Sequence, residues 1–179
     1  SDLIDALNEN LDDLRVLKSI EVDILKDGSL DLPDDVLQDL DLCVCSLHTS
    51  LGLSEKEQTE RVLKAMDNPN FHIFAHPTGR RLNERGPIAI DLDRIMEAAV
   101  EKGCFLELNA QPERLDLNDV FCKRAKELGL KVVIGADAHW AEGLDYLRYG
   151  VDQARRGWLE PDDVLNTKPW DEIEELFDR

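Results

Sequence analysis

Basic residues are scarce in this sequence. It has 21 lysines and arginines against 39 aspartates and glutamates, which gives a formal net charge of -18 at pH 7. A field of this sign repels a phosphate backbone, so the chain by itself is a poor candidate for a nucleic-acid-binding protein. A phosphate substrate stays compatible with this charge if bound cations supply positive charge locally.

Long apolar runs and paired cysteines are also missing. No apolar stretch approaches the roughly 20 residues of a membrane span, and the first residues are acidic rather than typical of a signal peptide. The four cysteines, at positions 43, 45, 104 and 122, form no CxxC pair. We therefore expect a protein of the reducing cytoplasm, with no membrane association, no disulfide framework and no thiolate zinc site. Walker, GxGxxG and GxSxG motifs are absent as well.

Strand-like and helix-like segments alternate along the 179 residues, a length that suits one domain. The predicted strands are 16–25, 42–47, 71–75, 104–108 and 132–136. The predicted helices are 2–14, 30–40, 54–67, 91–102, 117–128 and 144–156, followed by short helices at 161–165 and 170–177. This alternation predicts an α/β fold with parallel strands.

Polar side chains stand at regular intervals where the predicted strands end. Glu21, His48, His76, Asn109 and Asp137 follow one another at intervals of 27, 28, 33 and 28 residues. One βα unit with its connections takes about 30 residues, so these side chains occupy the same point in five successive units. Because parallel α/β folds carry their active site at the C-terminal strand ends, we expect them to converge.

The last predicted strand ends in a metal-competent pair, Asp137 and His139. If the extended geometry persists to residue 139, the two side chains project to the same side. Taken alone, the pair is equally compatible with a helix cap and a surface histidine. Three of the four histidines of the chain stand at strand ends together with two carboxylates, however, and this set favours a metal site. Such cations typically serve phosphoester hydrolysis.

Other polar residues leave two interpretations open. Arg80 and Arg114 lie near strand ends and are candidates for phosphate binding, to which arginine is suited. Arg155 fits either a substrate contact or a helix C-terminus. Asn109 would either orient a ligand or satisfy the backbone at its strand end. Asp23 and Asp116 are expected in turns or caps.

The number of strands bears on the architecture. A closed eight-unit barrel needs about 250 residues, whereas five strands are legible here. Either the sheet is open or the first strands of a barrel precede Ser1, and the absence of an initiator Met favours the second alternative.

Several of these segments resemble the PHP (polymerase and histidinol phosphatase) family, in the form found at the C-terminus of family X DNA polymerases. The segments are Ile20-Glu-Val-Asp-Ile-Leu25, Ser46-Leu-His48, Ala75-His-Pro-Thr-Gly-Arg80, Glu107-Leu-Asn-Ala110, Arg114-Leu-Asp-Leu117, Asp137-Ala-His139 and Gly150-Val-Asp-Gln-Ala-Arg-Arg-Gly-Trp158. The resemblance extends over nearly the whole chain and implies that residues 1–179 are the C-terminal portion of such a domain.

The resemblance implies a distorted (β/α)7 TIM-like barrel with up to three zinc or manganese ions. Glu21 would bridge two metals, His48 and His76 would hold one ion with it, Asp137 would join it on a second ion, and His139 would help to hold the third. The implied activity is phosphoester hydrolysis, including 3′-5′ exonuclease and DNA 3′-end processing by a metal-activated hydroxide. DNA would be met through a polymerase domain upstream in cis.

The resemblance also implies roles for four polar residues, and the sequence departs from the family pattern in one respect. Arg80 and Asn109 would assist catalysis, and Arg80, Arg114 and Arg155 would contact substrate. The opening His-x-His motif of the family and two further histidines have no counterpart here, so they are expected before Ser1, and fewer ions are expected in this chain. The alternatives are a stand-alone PHP phosphatase acting on a small phosphomonoester and a non-catalytic PHP module that supports a polymerase.

Overall fold

The five predicted strands form one parallel sheet. The computed structural model describes residues 2–12 and 14–177. The strands are β1 (Ser19–Asp23), β2 (Leu42–Ser46), β3 (Ile73–Phe74), β4 (Phe105–Asn109) and β5 (Val132–Gly135). They lie side by side in chain order, and each neighbouring pair is parallel. The predicted α/β class is therefore confirmed, and β1 and β5 are the edges of the sheet in the part of the chain that is described.

Helices connect the strands. They are α1 (Asp2–Asn8), α2 (Asp34–Leu37), α3 (Glu55–Ala65), α4 (Leu92–Lys102), α5 (Asp119–Leu128), α6 (Leu147–Arg156) and α7 (Trp170–Phe177). Short 3-10 helices cover Ala141–Tyr146, Pro161–Asp163 and Leu165–Thr167. Within the described ranges, every helix is too short or too polar to cross a bilayer.

Local signals place the helix ends. At the start of α3, the Ser54 hydroxyl accepts a hydrogen bond from the Glu57 backbone N–H, and the Glu57 carboxylate accepts one from the Ser54 N–H. This capping box satisfies two backbone donors that the first turn of a helix leaves free. The helices α4 and α5 are followed directly by Gly103 and Gly129, whose φ angles of 67° and 73° lie in the left-handed region that glycine adopts without strain.

Several predicted boundaries differ from the structure, and the predicted helix 30–40 and strand 71–75 are formed only over Asp34–Leu37 and Ile73–Phe74. The predicted helix 2–14 ends at Asn8, and the predicted strand 16–25 is formed only over Ser19–Asp23. The Asn8 side chain accepts a hydrogen bond from the Val16 N–H and donates one to the Val16 carbonyl, so the chain turns back where the pattern predicts a continuing helix. Position 13 of that prediction lies outside the described residues.

The two faces of the sheet are covered by different parts of the chain. Strand residues alternate between the faces, so Leu106 packs with α4 while its neighbour Phe105 points to the opposite side. On that opposite face a second cluster joins three strands to the C-terminal segment through Leu42, Ile73, Phe105, Leu165 and Phe177. Nearer the C-terminal strand ends, the same face carries the polar side chains of the candidate site.

Candidate metal centre

Three of the predicted site residues meet at the C-terminal edge of the sheet. Glu21 lies in β1, His48 follows β2, and His76 follows β3. Glu21 Oε1 is 3.0 Å from His76 Nε2 and 3.3 Å from His48 Nε2. One ligand atom from each of the three side chains lies within 4.8 Å of the others. The strand-end spacing thus identified residues that the fold brings together.

The donor set fits a divalent cation. One carboxylate oxygen and two imidazole nitrogens are the ligand types that zinc and other first-row transition metals take in proteins. Glu21 Oε1 faces one nitrogen of each imidazole. A single ion bound between these three atoms would take the place of the protons in the two hydrogen bonds.

Hydrogen bonds within the cluster shift its titration. The pKa of Glu21 is held well below its usual range by hydrogen bonds from His48 and His76. The pKa of His48 is raised to about 9, first by its hydrogen bond to Glu21 and further by Asp23. Both shifts show that this edge of the sheet strongly favours positive charge beside the Glu21 carboxylate.

Asp23 is part of the site, although the sequence predicted a turn or cap for it. Its Oδ1 is 2.6 Å from His48 Nδ1. A carboxylate on one ring nitrogen of a histidine fixes the tautomer and the ring orientation, and it leaves the other nitrogen for a metal. The available signal was its position two residues after Glu21, which places both side chains on the same face of β1.

Glu107 is a second residue that sequence reasoning missed. It is 8% exposed and accepts hydrogen bonds from the His76 backbone N–H at 2.8 Å and from Asn109 Nδ2 at 3.2 Å. Burial raises the pKa of this carboxyl to about 7. Its position two residues before Asn109 in β4 was the signal that could have indicated it, because i and i+2 share a face.

Asp137 lies at the same site, but its backbone conformation differs from the one that the sequence predicted. The strand β5 ends at Gly135, and Asp137 has a φ of 48°, so extended geometry does not persist to residue 139. The condition on which strand alternation would align Asp137 with His139 is therefore not met, although the His139 ring still lies 3.8 Å from the Asp137 carboxylate. Asp137 nevertheless lines one cavity of about 210 Å³ with Glu21 and His76.

His139 lies further out than the other predicted ligands. Its side chain is 73% exposed, and its Nδ1 donates a hydrogen bond to the Asp137 carbonyl at 2.9 Å. Nδ1 is also 3.8 Å from the Asp137 carboxylate. The ring is thus held beside Asp137, and its Nε2 points away from that contact.

Asn109 makes hydrogen bonds that bear on both interpretations left open by the sequence. Its Oδ1 accepts a hydrogen bond from the Gln111 N–H at 3.0 Å, which satisfies the backbone at the end of β4. Its Nδ2 lies 3.2 Å from Glu107 and 3.3 Å from Asp137, so the same amide also orients two carboxylates.

The three predicted substrate arginines occupy different environments. Arg80 Nε donates to the Arg114 carbonyl at 2.8 Å, and Arg80 Nη2 donates to the Leu115 carbonyl. Arg114 Nε is 3.9 Å from the Asp137 carboxylate and therefore borders the site. Arg155 has a side chain that is 75% exposed, and its described ion pair is with Asp152 of α6.

Together these features define a parallel α/β protein with a candidate metal centre at the C-terminal edge of its sheet. The chain is 42% identical over 176 residues to the DNA polymerase/3'-5' exonuclease PolX of Bacillus subtilis, a match that covers 98% of the chain and 31% of that relative. It is 30% identical over 174 residues to a probable phosphatase of Thermoanaerobacter sp. (strain X514), covering 90% of the chain and 68% of the relative. No protein-family model matches the chain.

These relatives confirm the resemblance that the motifs indicated. The chain belongs to the PHP (polymerase and histidinol phosphatase) family, a family of hydrolytic phosphoesterases. It spans about a third of the length of the polymerase and about two thirds of the length of the phosphatase.

Proposed function

We propose that this chain is the metal-binding part of a PHP phosphoesterase domain that removes nucleotides from DNA 3′ ends within a family X DNA polymerase. The observation that supports this most directly is the meeting of Glu21, His48 and His76 within 4.8 Å at one edge of the sheet. The similarity to PolX, which is named as a 3'-5' exonuclease, supports the DNA substrate and a polymerase domain in the same protein.

Different residues of this chain would hold different metal ions. Glu21, His48 and His76 would hold one cation, and Asp137, which lines the same cavity, would join Glu21 on a second. His139 would contribute its outer ring nitrogen to a further ion. Bound zinc or manganese would activate water as the nucleophile and offset charge on the phosphoryl oxygens.

Substrate contacts would come from the rim of this cavity. Arg114, whose Nε lies 3.9 Å from the Asp137 carboxylate, would meet a phosphate oxygen. Arg80 would support the transition state through its guanidinium while its hydrogen bonds to the 114 and 115 carbonyls hold the loop in place. Asn109 would keep Asp137 oriented, and we propose Arg155 as a more distant contact for the DNA strand.

The strand order supports the proposal that this sheet is part of a barrel. Strands that follow chain order without reversal are the arrangement of a (β/α) barrel rather than of a doubly wound sheet. We propose that further strands of the full-length protein pair with the β1 edge and complete a distorted (β/α)7 barrel, whereas the outer side of β5 already meets Val164 and Asn166 of this chain. Those strands would also supply the remaining metal ligands.

The test uses the full-length polymerase and a His76→Ala variant on a 3′-recessed DNA duplex, with the bound metal counted by elemental analysis. We expect the variant to lose metal and exonuclease activity together. His72→Gln is the matched control, because His72 is a buried histidine of the same segment whose Nδ1 accepts from the Cys43 N–H, away from the cluster. Full nuclease activity in His76→Ala would contradict the proposal.

A second candidate is a phosphatase that acts on a small phosphomonoester. The favouring observation is the 68% coverage of a relative named as a probable phosphatase, together with the net charge of -18. Hydrolysis of a small phosphomonoester such as p-nitrophenyl phosphate, with no release of nucleotides from DNA, would select this candidate.

A further inference from the structure

Glu107 connects two of the candidate metal ligands without belonging to the cluster itself. We propose that Glu107 is a positioning residue whose carboxylate holds the His76 backbone and the Asp137 side chain in the geometry that binds metal. This inference rests on the proposed function. It differs from it in assigning a role to a buried side chain on β4, between the strands whose ends carry the two ligands.

The first contact fixes His76 through its backbone. The N–H of His76 donates to Glu107 Oε2 at 2.8 Å. His76 has a φ of 28°, a backbone conformation that costs free energy for a residue with a side chain. An acceptor aimed at its N–H stabilises that conformation, and the same residue places its Nε2 3.0 Å from Glu21 Oε1.

The second contact reaches Asp137 through one amide. Asn109 Nδ2 lies 3.2 Å from Glu107 Oε2 and 3.3 Å from Asp137 Oδ2. The two hydrogens of this amide can therefore serve the two carboxylates at once. Because Glu107 holds one side of the amide, it also sets where the other side meets Asp137.

The neighbouring strand leaves space for this carboxylate. A Cβ atom added at Gly135 would overlap Glu107 Oε1, so the side chain occupies room that only glycine provides. Gly135 directly precedes the segment that carries Asp137. The hydrogen bonds of Glu107 on β4 and the absence of a side chain at Gly135 on β5 therefore both define where the Glu107 carboxylate lies.

Burial makes a purely packing role for Glu107 unfavourable. A buried carboxylate costs free energy unless hydrogen bonds compensate it, and an apolar side chain of the same length would avoid that cost. The two hydrogen bonds described lead to His76 and to Asn109, both of which belong to the site.

The test compares Glu107→Met with Glu107→Gln in the full chain, using Mn²⁺ titrated calorimetrically as the probe. The two variants have equal length, but only Gln keeps an oxygen that can accept both hydrogen bonds. We expect the Mn²⁺ dissociation constant to rise about 10- to 100-fold in the Met variant and to stay within about threefold in the Gln variant. Equal affinity in the Met variant and the wild type would overturn the inference. Equal loss in both variants would also overturn it, because charge rather than positioning would then be required.

Two further measurements keep the inference testable. If Glu107→Met does not fold, Gly135→Ala displaces the carboxylate while leaving it present, and unchanged Mn²⁺ affinity in that variant would refute positioning. If the wild type binds no metal, the proposed function fails, and hydrogen exchange of the His76 amide decides separately. We expect slow exchange in the wild type and Glu107→Gln and fast exchange in Glu107→Met at equal global stability, and identical exchange in all three would overturn the inference.

Discussion

The Asp23 carboxylate lies 2.6 Å from Nδ1 of His48, while Nε2 of the same ring faces Glu21 at 3.3 Å. The Asp23 carboxylate therefore holds the His48 imidazole in an orientation in which its other ring nitrogen faces the Glu21 carboxylate. Carboxylate–histidine pairs of this kind orient metal ligands in many proteins. The arrangement makes Asp23 a residue that acts on the site through His48.

Replacement of Asp23 by Ala should weaken metal binding. The ring of His48 loses its orienting partner, so we expect the Mn²⁺ dissociation constant to rise by about 10-fold or more, measured by calorimetry. Asp23→Asn keeps an acceptor for Nδ1–H and should recover most of the affinity. An Asp23→Ala variant with wild-type affinity would show that Glu21 and Ser46, whose Oγ lies 3.2 Å from His48 Nδ1, orient the ring without Asp23.

Metal should stabilise the folded chain through the same three ligands. A ligand that binds only the native state adds about 2.7 kcal/mol at a concentration 100 times its dissociation constant. We expect Mn²⁺ or Zn²⁺ to raise the urea midpoint of the chain, and EDTA to reverse the effect. In His76→Ala the midpoint should no longer depend on metal. Equal stabilisation of His76→Ala would place the ion elsewhere.

Asp116 should make stability depend on pH. This fully buried carboxyl accepts a hydrogen bond from the Thr78 N–H at 2.9 Å, yet burial raises its pKa above the ordinary value of 3.8. Above pH 3.8 the folded state therefore retains a proton that the unfolded state releases, so this contribution to stability falls as pH rises toward the raised pKa.

The pH effect is isolated by comparison with Asp116→Asn, which cannot titrate. We expect the free energy of unfolding of the wild type, relative to the variant, to decrease as pH rises from 4 upward. Urea denaturation at a series of pH values measures this difference. A difference that rises with pH would mean that the hydrogen bond from Thr78 outweighs burial.

Arg61 should be essential for stability rather than for catalysis. This side chain, 3% exposed, extends from α3 to the segment after β1, where it donates to the carbonyls of Ile24 and Leu25, and to that of Thr49. Removing it leaves buried carbonyl groups without partners, at about 1–3 kcal/mol each. We expect Arg61→Met to lower the free energy of unfolding by about 3 kcal/mol or more.

Arg61→Lys should recover little of this loss, because a lysine ammonium cannot reproduce the planar set of donors. Urea denaturation provides the measurement. A lysine variant with wild-type stability would show that charge alone, rather than the fork of hydrogen bonds, ties α3 to β1.

The strands and the main helices could be predicted because their signals are local. Parallel strands buried on both faces read as short apolar runs, and Ser54 with Glu57 marks the start of α3 within four residues. The convergence of Glu21, His48 and His76 followed from spacing, since each βα unit returns the chain to the same edge of the sheet.

Other parts of the site depend on backbone torsions that no local pattern announces. His76 and Asp137 both have positive φ, so their side chains leave the directions that strand alternation predicts. Strand alternation therefore does not account for the placement of Asp137 and His139, although Asp137 lines the cavity. Glu107 lies in the regular part of β4, but its hydrogen bond from the His76 N–H depends on the turned backbone at His76, which the sequence does not show.

The sequence by itself therefore determined the α/β class, the order of strands and helices, and three residues of the candidate metal centre. These depend on hydrophobic periodicity and on the length of a repeating unit. Only the tertiary structure decided that Asp23 supports His48 and that Glu107 links His76 to Asp137 across three neighbouring strand ends. Such contacts join residues 25 to 31 positions apart, and their distances exist only once the strands lie side by side.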